Sequence, residues 1–492
     1  MGRVRVRFAQ SQSEHLHVGN ARVALCNYIF AKKFDGDFVI RIEDTDQDRN
    51  VEEAIDELIS DLRWFNIDWN EGPNIGGIYG PYRQSLRNKL YQEKLNELID
   101  KGLVYPCYCT KDDLEQQRNL ALSRGQVSRY DNRCRFLDEV QKLQYENEGR
   151  RPVWRFKVEP QHLTIYDLIR GEITFDTGLM GDFIIMKADQ TPAPLFSVTV
   201  DDAVMKITHV IRTEDHLSNT PRHVLLFKAL DYEIPQFAHM ALLQGVDNEP
   251  LCRHDLRDYY SVEGLRKKGY LPEAVINYLV NIGISLEDGS EVMSFDELVA
   301  RFDLGDMSKS AATFDVDKLN WYAGYYIRNA EPARIADLSM AYLKEKQMVE
   351  GNLTEDAFEY LIRVVDVIRH NVTCLSEIAD YAAVFFQESV EMDSESTRMI
   401  RTEESKKILF ALVELLEKMD EKLTHDDFHF IIKELYAKTA LRGSQLYQPI
   451  RRVLTGKSHG PELDDIFVLL GKQRIIQRIT TVMKKYEYID NS

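Results

Sequence analysis

Hydrophobic and polar positions alternate at the start of the chain. Val4, Val6 and Phe8 interleave with Arg3, Arg5 and Arg7, the period of two that marks a strand. A polar loop from Ala9 to His15 leads into Leu16-His17-Val18-Gly19-Asn20. Val23, Leu25, Ile29 and Phe30 then recur near helical spacing between Ala21 and Lys33, and Phe38 to Ile42 form a second apolar run closed by Glu43-Asp44-Thr45-Asp46. Strand, loop, helix and strand make a βαβ unit, whose loop lies where an open parallel sheet binds its ligand. Amphipathic helices are expected from Val51 to Leu62 and from Gln84 to Lys101, and a further helix from Lys111 to Ser123. Strand-like runs then appear from Val153 to Lys157, Glu172 to Phe175 and Asp182 to Met186, and the nucleotide-binding pattern resumes near Phe196. From Ser261 onward strands are expected to stop. Helical periodicity covers Leu265 to Ile284, Asp296 to Phe302 and Asp315 to Tyr326, then stretches such as Ile335 to Lys346, Glu355 to His370 and Lys406 to Met419.

This reading divides the chain into five parts. Residues 1–105 and 191–255 form two halves of an α/β core, and 106–190 is an α+β domain inserted between them. Residues 256–320 are a helical junction, and 321–492 an all-helical C-terminal half. A length of 492 residues suits several domains, and 44% hydrophobic with 29% charged residues is ordinary for a soluble globular chain. No apolar run approaches the ~20 residues of a membrane span. The N-terminal arginines precede no apolar stretch, so no secretory signal is expected, and valine at position 6 excludes a myristoylation motif. Six cysteines in so long a chain argue for a reducing compartment, the cytoplasm. The net charge of −18 opposes RNA binding in general, yet Asp427 to Ser492 holds 11 Lys and Arg against 7 Asp and Glu. That local balance of +4 leaves −22 elsewhere and marks the C-terminal end as a candidate RNA footprint, with Arg451, Arg452, Lys484 and Lys485 as backbone contacts.

Three stretches carry candidate chemistry. His17 and Asn20 at a helix start suit a phosphate, through side-chain donors, free N–H groups and the helix dipole, although the same residues serve equally as ordinary caps. Cys107-x-Cys109 with Cys134 offers three thiols to a zinc ion that needs four ligands. No histidine follows Cys134, so a water, Asp138 or His162 would have to complete the set; three half-buried thiols without metal are the favoured reading. Gly456-Lys457-Ser458 is no P-loop, because Arg451 stands where the first glycine belongs. Cys252 has no identifiable base and is not a candidate nucleophile.

Arg7-Phe-Ala-Gln-Ser-Gln-Ser-Glu-His-Leu-His-Val-Gly-Asn20 and Arg41-Ile-Glu-Asp-Thr-Asp46 resemble the opening of a class I glutamyl-tRNA synthetase of the bacterial or organellar type. The likeness continues through Gly80-Pro-Tyr-Arg-Gln-Ser85, Tyr105-Pro-Cys-Tyr-Cys109, Thr208 to Asn219, Gly269-Tyr-Leu-Pro272, Phe314 to Leu319 and Gly456 to Leu463. It implies a Rossmann-like class I synthetase core, a tRNA acceptor-end insertion and a helical anticodon-binding half. The implied reaction is ATP-dependent activation of glutamate and transfer to the 3′ end of tRNA by a monomer, with ATP and Mg²⁺ as cofactors. The resemblance assigns glutamate to Arg7, Ala9, Ser11, Glu43 and Arg212, and ATP to His17, Gly19, Asn20, Glu214, Leu243 and Arg253. Of these, His17, Asn20 and Arg253 would be catalytic. Cysteines spaced like Cys107, Cys109 and Cys134 bind zinc in some members.

The chain departs from the family in places. Pro194 stands where a tyrosine lines the glutamate site, and Gln10, Gln12 and Glu14 replace two prolines and a glycine. The mobile lysine loop has become Pro250-Leu-Cys-Arg-His254, so Cys252 and Arg253 replace serine and lysine. Met307-Ser308-Lys309-Ser310 copies that signature too late in the chain to be its equivalent. These changes leave a second expectation standing, a catalytically impaired paralogue that binds tRNA or an adenylate as a regulator.

Overall fold

The computed structural model describes residues 2–11, 16–45, 51–125, 129–245, 251, 260–284, 289–351 and 353–486. Gln12, Glu14 and the expected lysine-loop equivalent Cys252-Arg253-His254 lie outside the described residues. The chain forms two compact units, one of Met1–Leu265 with Ile276–Asp315 and one of Arg266–Val275 with Val316–Ser492.

In the first unit, β1 (Arg5–Ser11) runs parallel to β2 (Asp37–Glu43), with Arg7 opposite Val39 and Ser11 opposite Glu43. The alternation that marks β1 suggests one wet face, yet Arg5 and Arg7 are as buried as Val6 and Phe8. Arg5 reaches Asp37 at 3.0 Å and Glu71 at 2.8 Å, and Arg7 reaches Asp202 at 3.1 Å, so the arginine face is buried on ion pairs. β8 (His209–Thr213) joins at the start of β1, where the Thr208 amide donates to the Arg5 carbonyl at 2.8 Å. It runs parallel to β9 (Gln236–Met240), with Arg212 opposite His239.

The strands between β2 and β8 fall into two groups. β3 (Val104–Cys107), β4 (Val153–Phe156) and β7 (Phe183–Met186) make a separate antiparallel sheet. β5 (His162–Asp167) and β6 (Gly171–Asp176) instead form a hairpin that extends the core sheet, with Asp167 registered parallel to Phe237 of β9. β10 (Leu243–Gln244) pairs with β11 (Ala312–Thr313), which corrects the expectation that strands end at Ser261. The helix Val18–Lys33 is buried on nearly every side, and buried Asn27 answers its polarity by donating to Val23 and Ile211 carbonyls.

The expected helix from Leu265 to Ile284 is two, Val262–Lys268 and Pro272–Asn281. Gly269 stands between them at φ +83°, with Pro272 at the first turn of the second. The second unit is helical from Val316–Asn329 to Leu463–Lys485, the last interrupted at Gly471 with φ +71°. Thr354, Thr402 and Thr424 each cap a helix start. Gly456 closes the helix Ser444–Thr455 in a left-handed turn, where a Cβ would collide with the Glu391 carbonyl. It ends a helix where a P-loop would begin one. Among the described residues no helix is long and apolar enough to cross a membrane.

Candidate active site

The carboxyl ends of β1, β2 and β8, with the starts of the helices Pro194–Val204 and Thr220–Ala229, surround a cavity of about 180 Å³. Arg7, Ala9, Glu43 and Arg212 line it together. Ser11 sits opposite Glu43 in the strand register. The other wall is apolar, from Pro194, Leu195, Val198, Phe8 and Ile211. Pro194 opens its helix at the first turn, where proline's missing N–H costs nothing, and it brings no hydroxyl to the cavity.

The two cavity arginines are held differently. Arg7 donates through Nε to Asp202, and its two terminal nitrogens make no hydrogen bond to a described residue. Asp202 is shared with Arg41, 2.5 Å away. Burial alone would raise the Asp202 carboxyl, but Arg41 and then Arg7 outweigh it and hold the group at about 2. Arg212 is buried without any ion pair among the described residues. It donates from Nε to His239 Nε2 at 3.2 Å, and from Nη2 to Thr220 Oγ1 at 2.8 Å and the His216 carbonyl at 3.4 Å. Its Nη1 lies 3.4 Å from His223 Nε2. Burial first, and the charge of Arg7 second, lower it to about 10. A buried cation beside a second cation, opening on a cavity, is a site for an anion. Glu43 supplies a carboxylate at the same wall, steadied by Arg41 Nη2 at 3.2 Å. Two cations and one anion around 180 Å³ suit an amino acid bearing a second carboxylate.

A second cavity, of about 260 Å³, adjoins the first at Val23, which lines both. His17, Gly19, Asn20, Arg22, Thr213, Asp215 and Leu243 lie around it. His17 Nδ1 caps its own helix, accepting from the amides of Gly19 at 3.1 Å and Asn20 at 3.4 Å. A Cβ on Gly19 would stand 2.9 Å from the His17 ring, so glycine keeps the turn open beneath that cap. Capping and lining the cavity are thus compatible roles for one histidine.

Glu214 does not line this cavity. It accepts from the Leu242 amide at 3.0 Å and pairs with Arg170, so it fixes the backbone beside Leu243. Its neighbour Asp215 faces the cavity instead. Arg22 is buried alongside, bonded to the Ala241 and Ile282 carbonyls. Asp215, Arg22, His216, Asn219 and His223 had no role in the sequence reading. His216, Asp215 and Asn219 fall inside the quoted Thr208–Asn219 stretch, but spacing gives them no chemistry.

The three cysteines converge. Cys109 and Cys134 sulfurs are 3.6 Å apart, and all three thiols lie within 4.8 Å of one another. The fourth group at this point is Tyr130, whose hydroxyl is 3.3 Å from Cys107 Sγ and 3.6 Å from Cys109 Sγ. Neither Asp138 nor His162 takes that place: Asp138 caps the helix Glu139–Asn147 and His162 is exposed on β5. Three sulfurs and one phenol are a donor set that a tetrahedral zinc ion fits.

In the helical unit the basic residues separate. Lys484 and Lys485 are exposed. Arg451 is half-buried and bonds the Pro461 carbonyl at 2.6 Å. Arg452 is enclosed, paired with Glu395 at 2.7 Å and bonded to Ser396 at 2.9 Å, which withdraws it from a surface footprint.

Residues 3–321 match the family described as tRNA synthetases class I (E and Q), catalytic domain, and residues 334–483 match the anticodon binding domain. The chain belongs to the class I tRNA synthetases of the E and Q type. This synthetase is 42% identical over 478 residues to the glutamate–tRNA ligase of Carboxydothermus hydrogenoformans, covering 97% of this chain and 99% of that one. With the glutamate–tRNA ligase of Bacillus subtilis it shares 37% over 480 residues, again 97% and 99% of the two chains. A solved glutamate tRNA ligase from Elizabethkingia meningosepticum, in complex with its amino acid, superposes with a TM-score of 0.87 at 29% identity, covering 98% and 99%.

Proposed function

We infer that this synthetase is a glutamate–tRNA ligase. It activates glutamate with ATP to glutamyl-adenylate and transfers the glutamyl group to the 3′ end of tRNA. The supporting relatives match from end to end and carry that name. The observation that carries the substrate assignment is the Arg212 guanidinium, without an ion pair among the described residues, on a small cavity that adjoins a second one. Arg212 and Arg7 take glutamate's carboxylates, and Glu43 takes its ammonium, with Ala9 and Ser11 at the same strand end. A glutamate carboxylate oxygen attacks the α-phosphorus of ATP; that P–O bond forms as the bond to pyrophosphate breaks. His17, Gly19, Asn20, Leu243 and Arg253 hold the nucleotide, and Mg²⁺ travels with ATP. A terminal ribose hydroxyl of tRNA then attacks the acyl carbon, and AMP leaves. Holding both reactants in place, with cations on the phosphates, supplies most of such a rate enhancement.

In this reading residues 106–190 receive the acceptor end, 256–320 the stem and 321–492 the anticodon arm. Lys484 and Lys485 are the exposed cations offered to RNA, with Arg451 beside them and Arg452 excluded. Zinc, held by Cys107, Cys109, Cys134 and Tyr130, would tie the ends of the insertion's first strand and loop together, a structural duty. The protein works as a cytoplasmic monomer. Metal analysis of the purified chain is expected to give about one zinc, lost in Cys134→Ser.

The test of function is glutamate-dependent ATP–pyrophosphate exchange with tRNA supplied, followed by charging of tRNA with labelled glutamate. Exchange that requires glutamate is the expected result. No exchange from a protein that binds both ATP and tRNA would overturn the reading in favour of a tRNA-binding regulator.

A further inference from the structure

Arg212 has only hydrogen-bond donors, so every group it touches must accept. Nε points at His239 Nε2, 3.2 Å away, and Nη1 at His223 Nε2, 3.4 Å away. Both imidazoles therefore present a bare Nε2 and keep their proton on Nδ1. The environment of each Nδ1 agrees. His239 Nδ1 is 2.6 Å from Asp167 Oδ2, and that carboxylate also accepts from the amides of His239, Ile169 and Arg170. His223 Nδ1 is 2.8 Å from Thr199 Oγ1, whose own hydrogen goes to the Leu195 carbonyl at 2.8 Å. Each histidine is thus an oriented, neutral acceptor with an anchor behind it. His239, Thr199, Thr220 and Asp167 are all essentially inaccessible to solvent, and His223 nearly so.

The choice of imidazole has a consequence that a carboxylate would not share. Asp or Glu at either place would orient the guanidinium equally well but cancel its charge inside a low-dielectric pocket. A neutral imidazole orients the fork and leaves the charge in place. Burial reinforces this, because it pushes both histidines below their ordinary value and keeps them unprotonated beside the cation.

We propose that His239 and His223, anchored by Asp167 and Thr199, are positioning residues that aim Arg212 at the substrate carboxylate while leaving it without a directly paired carboxylate. Asp167 enters this chain from β5, in the segment between the two core halves, so that segment contributes to amino-acid binding as well as to its own sheet. The proposal rests on the reading that Arg212 binds glutamate.

The test separates positioning from bulk structure. His223→Leu removes the acceptor, and His223→Gln restores one. In exchange assays His223→Leu is expected to raise the glutamate KM at least about tenfold with the ATP KM unmoved, and His223→Gln to bring it back within about threefold. Equal glutamate KM in the two variants, or parallel changes in both KM values and kcat, would overturn the positioning role. Arg212→Ala serves as the control. If it leaves glutamate KM unchanged, the glutamate reading itself fails; if it raises KM while His223→Leu does not, only the positioning role fails. A variant-free measurement stands beside these. Nitrogen NMR of the ¹⁵N-histidine-labelled full chain should show two imidazoles fixed in the Nδ1–H form across about pH 6 to 8. Finding every imidazole as the Nε2–H form, or titrating in that range, overturns the proposal.

Discussion

Arg212 in the catalytic unit and Arg478 in the helical unit share burial and a guanidinium lowered to about 10, chiefly by desolvation. Neither forms an ion pair with a described carboxylate. Their surroundings differ. The terminal nitrogens of Arg478 donate to the carbonyls of Leu454 at 2.6 Å, Val384 at 2.5 Å and Gln387 at 2.6 Å, at the last turns of two helices. Those carbonyls have no helical partner and carry the negative end of the helix dipole, so they compensate the charge where it sits. Arg212 meets two imidazoles, a hydroxyl and only one carbonyl, that of His216 at 3.4 Å, and it opens on a cavity. Burial and a shifted guanidinium are therefore common to both arginines, and only Arg212, which opens on a cavity without a paired carboxylate, marks a binding site.

The comparison can be broken by giving Arg212 what Arg478 has. His223→Glu supplies a compensating charge, and the glutamate KM is expected to rise by about 100-fold with the ATP KM unchanged. Unaltered glutamate KM would mean that the charge of Arg212 was never available to substrate. Arg478→Met probes the other side. It strands two buried carbonyls and a partly buried one and is expected to cost about 2–4 kcal/mol of stability, seen as a lower unfolding midpoint in denaturant, while glutamate KM stays within about twofold. A loss of glutamate affinity without a loss of stability would contradict a structural role.

The smallest effect is on pH dependence. His223 and His239 lie below their ordinary value in the folded chain, burial being the largest cause in each. As pH falls, the unfolded chain takes up these protons before the folded one. Stability is therefore intact above about pH 6.5 and declines below it, by at most ~1.4 kcal/mol per pH unit per histidine. Unfolding midpoints measured between about pH 5 and 7 should fall less steeply in His223→Gln than in the parent. Equal slopes would show that His223 takes up its proton in the fold as readily as in the unfolded chain.

Much of this was legible in the residues, unevenly. β1 follows from its period of two, β2 from its apolar run and the helix between them from near-helical spacing, and Lys111 to Ser123 is legible to the residue. β5 was not read, because its only deep side chains are Leu163 and Asp167 on a strand otherwise exposed or half-exposed. β11 has two residues and no period at all. The helix break at Gly269 carried its signal, a Gly and a Pro three positions apart, but apolar spacing ran through it. In the site, Arg7, Glu43, Arg212 and His17 came from motif resemblance. His223 and His239 did not, since a histidine beside an apolar run reads as core until its partners are known, and Tyr130 did not, since a tyrosine in a polar loop reads as surface. Asp167 lies 72 positions from His239, a pairing that no local pattern encodes.

The availability of the Arg212 charge to substrate is tested most directly by glutamate titration in the tRNA-supplied exchange reaction, comparing the parent with Arg212→Ala. The expected result is a glutamate KM raised about 100- to 1,000-fold with the ATP KM within about twofold, the signature of a lost charge-assisted contact to one substrate. A glutamate KM within about threefold of the parent would contradict it and return Arg212 to the same structural class as Arg478.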